Sequence, residues 1–157
     1  MTGLLHDVAK DFQPEQLVDL VKEAGIKIHH PCDWNPLYLH GPASAYLVRR
    51  ELGVADPVIL DAISMHTYYG GGTDFSVPML WCLRFADLVE PTREWQGVEK
   101  LREMAYAGEM ERGALLQTGW LIEWLEQNGT PVHPNMHRVH QELLSRLGVD
   151  DGFFRRW

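Results

Sequence analysis

The sequence predicts an all-α fold, and three observations carry that prediction. Apolar residues recur at helical spacing along most of the 157-residue chain, and no run of alternating β-branched residues competes with them. Prolines and glycines fall where helices begin and end.

Leu4, Leu5, Val8 and Phe12 share one helical face at the start of the chain. Pro14-Glu15-Gln16 opens a second helix, with Leu17, Leu20, Val21 and Ala24 on one face and Gly25 closing it. Residues 26–39 contain His29-His30-Pro31 and Trp34-Asn35-Pro36, and read as an irregular loop that ends at His40. Pro42 then starts a helix through Ala45, Leu47 and Val48 to Gly53. Asp56-Pro57 repeats the start signal ahead of Ile59, Leu60 and Ile63, a buried stripe that leads to His66. Gly70-Gly71-Gly72 breaks the chain, and Ser76 caps an apolar helix that carries Asp87 and stops before Pro91. Helices over Val98–Ala107, Met110–Gln127 and Pro134–Leu147 complete the chain. The expectation is one domain over residues 1–149 and a tail over 150–157, whose aromatic and basic residues permit a homodimer.

Composition excludes several classes. At 45% hydrophobic and 23% charged residues the chain reads as an ordinary globular protein, and a net charge of -8 argues against a nucleic-acid partner. The two cysteines, Cys32 and Cys82, form no CxxC arrangement and are expected to be reduced, as in the cytoplasm. No apolar run approaches the ~20 residues of a membrane span. Met1–Lys10 lacks the basic start and apolar stretch of a signal peptide, so a cytoplasmic protein without a membrane partner is expected.

The chemistry lies in His6-Asp7, followed by isolated His40, His66 and Asp87 on apolar segments. Imidazole nitrogens and carboxylate oxygens suit divalent first-row metals, and mixed His/Asp sets with open positions suit catalysis. Asp87 stands between Phe85-Ala86 and Leu88-Val89, where an unpaired charge would be costly, so it asks for a partner. Lys10 and Arg93 are placed to grip phosphate, and Thr67 to hydrogen-bond one, although each is also an ordinary helix-end residue.

Four stretches in order, Gly3-Leu4-Leu5-His6-Asp7-Val8-Ala9-Lys10, Leu39-His40-Gly41-Pro42, Ala62-Ile63-Ser64-Met65-His66-Thr67 and Ala86-Asp87-Leu88-Val89-Glu90-Pro91-Thr92-Arg93, together resemble the YqeK family of HD-domain phosphohydrolases. The resemblance implies an HD-domain helical bundle and symmetrical hydrolysis of diadenosine tetraphosphate to two ADP. It also implies a binuclear metal centre, with iron as the metal, held by His6, Asp7, His40, His66 and Asp87. In the same terms Asp7 and Lys10 take catalytic roles, and Lys10, Thr67 and Arg93 bind substrate phosphate.

One departure from the family pattern stands out. The family's first ligating His lies on a helix upstream of the His-Asp pair, and five residues precede His6 here. The expectation is a start truncated relative to the family, lacking its first helix. His29, His30, His133, His137 and His140 remain as substitute ligands on paper. Two alternatives stay open: an HD phosphohydrolase acting on another nucleotide, and a nucleotide-binding module whose catalysis is impaired by the absent His.

Overall fold

A computed structural model describes residues 1–67, 78–150 and 152. Among these residues the regular structure is helical and no strand occurs, as the periodicity predicts. The helices are α1 (Thr2–Leu5), α2 (Pro14–Glu23), α3 (Pro36–Leu52), α4 (Pro57–Met65), α5 (Pro78–Val89), α6 (Val98–Tyr106), α7 (Met110–Gln127) and α8 (Pro134–Leu147). The described residues group into two compact units, 1–67 with 78–84 and 85–150 with Gly152.

In the first unit, α2 begins at Pro14 with a reciprocal cap. The Gln13 side chain accepts from the backbone of Gln16, and the Gln16 side chain accepts from the amide of Gln13 at 2.9 Å. Its apolar face buries Leu17, Leu20 and Val21 against Leu39 and Ala43 of α3, each larger side chain contributing about 1.5–3 kcal/mol. Helix α3 crosses α4 through Ala45, Val48 and Ile63, with Leu5 of α1 and Ile59 and Leu60 packed alongside. Ala62 of α4 meets Leu80 and Leu83 of α5.

Two segments differ from the sequence expectation. Only residues 2–5 of the first segment are helical, and residues 6–11 run as turns. Leu4 is 84% exposed and Val8 41% exposed, whereas Ala9 is fully buried beside α2 and α3. Secondly, α3 starts at Pro36 and not at Pro42, so His40 lies inside a helix. Asn35 explains the earlier start, because its Oδ1 accepts from the Leu37 amide at 2.9 Å and Pro36 occupies the first helical position. A 3-10 turn, Pro31–Trp34, precedes it. The expected Ser76 cap, the triple glycine and most of the aromatic tail lie outside the described residues.

In the second unit, α6 packs on α7 and α7 on α8. Gly97, at φ 99°, begins α6 directly under the Trp120 ring; a Cβ there would stand 2.5 Å from it. Trp95 meets Trp120 edge to face, and its indole N–H donates to Leu88 O at 3.0 Å. No described helix is long and apolar enough to cross a membrane.

Candidate metal centre

His6 closes α1, Asp7 follows in the turn, His40 sits in the second turn of α3 and His66 ends α4. The first unit brings all four together. His40 Nε2 lies 3.2 Å and His66 Nε2 3.3 Å from Asp7 Oδ1, and His6 Nε2 lies 3.4 Å from Asp7 Oδ2. The two imidazole nitrogens of His40 and His66 face each other at 3.1 Å.

The opposite edge of each ring explains this arrangement. His6 Nδ1 donates to Gly3 O at 2.7 Å, His40 Nδ1 to Pro36 O at 3.3 Å and His66 Nδ1 to Ile63 O at 2.7 Å. A neutral imidazole that donates from Nδ1 carries a bare lone pair on Nε2. The Nε2 edges of three rings therefore converge on one carboxylate. Burial holds the His66 imidazole below its ordinary value despite its contact with Asp7. Burial works to raise the Asp7 carboxyl, and the Lys10 ammonium beside it works to lower it.

Such a donor set fits a divalent cation. One ligand atom from each of His6, Asp7 and His66 lies within 4.8 Å of the others, and among the described residues this is the group that comes together in this way. Backbone carbonyls that orient the imidazoles are the usual outer support of a metal site. Two of the other histidines are used differently: His30 Nδ1 accepts from the Cys32 amide and His133 Nδ1 from the Asn135 amide, both as helix caps. Cys32 and Cys82 are free thiols.

Lys10 does not stand alone, since its Nζ meets Asp7 Oδ2 at 2.5 Å. Thr67, next to His66, has a buried hydroxyl without a hydrogen-bond partner. Asp87 and Arg93 belong to the second unit, where Arg93 Nη2 pairs with Asp87 Oδ1 at 2.8 Å and Arg93 Nε approaches Glu90 at 3.3 Å. The Thr92 hydroxyl and amide hold the Glu90 carboxyl below its ordinary value. Arg102 orders the same loop by donating to Val89 O at 3.0 Å, Glu90 O at 2.7 Å and Arg93 O at 3.0 Å.

Sequence reasoning missed Ser44. One turn beyond His40 on the same face of α3, its buried Oγ accepts from the Ala9 amide at 3.1 Å and ties the His6–Lys10 segment to the helix. The signal was the small-residue run Gly41-Pro42-Ala43-Ser44-Ala45, which marks a close approach. Ser44→Ala leaves that amide buried and unpaired, so a loss of about 1–3 kcal/mol is expected in urea unfolding. A loss below 0.5 kcal/mol, on the order of a surface change, would show that the bond does not anchor the segment.

Comparisons with known proteins agree with this geometry. The HD domain family profile matches residues 1–116. A protein of Bacillus subtilis (strain 168) named bis(5'-nucleosyl)-tetraphosphatase, symmetrical, is 30% identical over 145 residues, covering 92% of this chain and 75% of that protein. The protein of the same name from Halalkalibacterium halodurans is 28% identical over 144 residues, covering 92% and 74%. The crystal structure of a predicted HD superfamily hydrolase from Clostridium acetobutylicum, described as involved in NAD metabolism, superposes with a TM-score of 0.82 at 29% identity, covering 92% of this chain and 75% of that one. A profile match over most of the chain, with the His6-Asp7 pair at the centre of the converging donors, means that this protein belongs to the HD domain family.

Proposed function

We propose that this protein is a metal-dependent phosphohydrolase that splits diadenosine tetraphosphate symmetrically into two ADP. The observation that carries the reading is the convergence of three imidazole lone pairs on Asp7, each ring fixed from behind by a backbone carbonyl. The names of the Bacillus subtilis and Halalkalibacterium halodurans relatives supply the substrate class.

In this reading His6, Asp7, His40 and His66 hold the metal, with iron as the proposed ion and a second ion as in the resembled family. The resemblance extends the ligand set to Asp87. A divalent ion bound there lowers the pKa of water and offsets charge on phosphoryl oxygens. Asp7 offers two oxygens, one toward His40 and His66 and one toward His6, and would serve as a carboxylate ligand. Lys10 keeps a positive charge at the rim of the cluster, where a polyphosphate would meet it. The unpaired Thr67 hydroxyl is available to donate to a phosphate oxygen, and the resemblance adds Arg93 as a further phosphate contact. A nucleotide substrate fits a cytoplasmic setting.

The test is hydrolysis by protein loaded with iron, manganese or cobalt and separated products. ADP as the sole nucleotide product, abolished by a chelator and restored by metal, is the expected result. ATP with AMP would refute symmetrical cleavage, and turnover of other nucleotides with diadenosine tetraphosphate untouched would refute the substrate.

A further inference from the structure

Helix α4 ends at His66, where helical hydrogen bonds no longer fix the carbonyls. Two of these carbonyls are nevertheless held by one side chain. Arg84, from the part of α5 that belongs to the first unit, donates from Nη2 to Met65 O at 2.7 Å and from Nε to His66 O at 3.1 Å. It is 2% exposed, and its guanidinium lies 4.8 Å from the centre of the Trp81 ring.

A buried guanidinium is an expensive way to fill space, and apolar replacements of buried charges are often neutral or better for stability. Its bonding pattern explains what it does. Met65 O belongs to the peptide plane before the His66 Cα, and His66 O to the plane after it. Holding both planes fixes φ and ψ of His66 together, and with them the direction of its Cβ. The Ile63 carbonyl then fixes the ring itself through Nδ1. The cationic group also sits at the negative end of the α4 dipole.

We propose that Arg84 is a positioning residue that aims the His66 Nε2 lone pair into the metal centre by clamping the two peptide planes on either side of it. The inference rests on the assignment of His66 as a metal ligand. An Arg fork can reach both carbonyls at once, whereas a Lys ammonium is a point donor that satisfies one geometry.

The experiment compares wild type, Arg84→Met and Arg84→Lys by two readouts, the His66 tautomer in metal-free protein from long-range proton–nitrogen NMR, and cobalt(II) affinity from visible absorption. Wild type is expected to show a single Nδ1–H tautomer. Arg84→Met is expected to show mixed tautomers and affinity lower by about 10–100-fold, the range for lost outer support of a ligand, with partial recovery in Arg84→Lys. A folded Arg84→Met with the wild-type tautomer and affinity overturns the proposal. If Arg84→Met does not fold, Arg84→Lys decides in the same way: mixed tautomers support the clamp and an unchanged ring overturns it. Absence of cobalt binding by wild type would refute the metal-dependent function, while the tautomer comparison still decides the role of Arg84.

Discussion

Asp7→Asn is expected to remove metal binding while leaving the fold intact. Asp7 is the carboxylate on which His6, His40 and His66 converge, so its loss takes the negative charge out of a set otherwise made of neutral rings. The effect on affinity should exceed the roughly 100-fold upper range for outer-support residues, and hydrolysis should fall with it. The metal-free protein behaves differently. Asn carries an amide that can donate to the bare Nε2 atoms of His40 and His66, replacing an acceptor that faces acceptors with a donor that matches them. The thermal midpoint of the metal-free variant at pH 8 is therefore expected to be unchanged or raised. Calorimetric metal titration alongside thermal unfolding checks both halves, and wild-type affinity in the variant would remove Asp7 from the ligand set.

Gly41→Val is expected to damage stability and metal binding at once. Helices α3 and α4 cross so closely that a Cβ at Gly41 would stand 2.8 Å from Ser64 O and 3.2 Å from Ile63 O, both backbone atoms unable to swing aside. Valine adds two methyl groups to that conflict, and overpacking of this kind costs about 1–3 kcal/mol. For a chain of this size each kcal/mol lowers the unfolding midpoint by roughly 2–4 °C. Ile63 O is also the acceptor for His66 Nδ1. Moving that carbonyl rotates the imidazole, so metal affinity should fall beyond what lost stability explains. A variant with wild-type melting and wild-type affinity would show that the crossing is softer than its distances imply.

Much of this was legible in the sequence because its signals are local. Asp56-Pro57 marks the start of α4, its Oδ1 accepting from the Val58 amide at 2.9 Å, and Gly25, Gly53 and Gly148 stand at helix ends with positive φ. The boundaries expected for α7 and α8 agree with the structure. The approach of His6, Asp7, His40 and His66 was anticipated from residue type and family resemblance, and the first unit brings them together. The start of α3 was misread because Pro42, a strong start signal, lies inside the helix, while Asn35-Pro36 seven residues earlier is the actual cap. The roles of Ser44 and Arg84 were hidden because each acts through backbone atoms far along the chain, at Ala9 and at Met65 and His66. A backbone acceptor leaves no mark in residue identity.

Helix α3 also constrains how this sequence can drift. His40 and Ser44 lie one turn apart on a single rigid rod, one reaching the proposed metal centre and the other gripping the segment that carries His6 and Asp7. Inserting one residue between them would turn everything beyond it by about 100 degrees and advance it by about 1.5 Å. The grip and the ring could then no longer face the same segment. The interval works as a ruler with fixed graduations, tolerant of changed letters and intolerant of changed length.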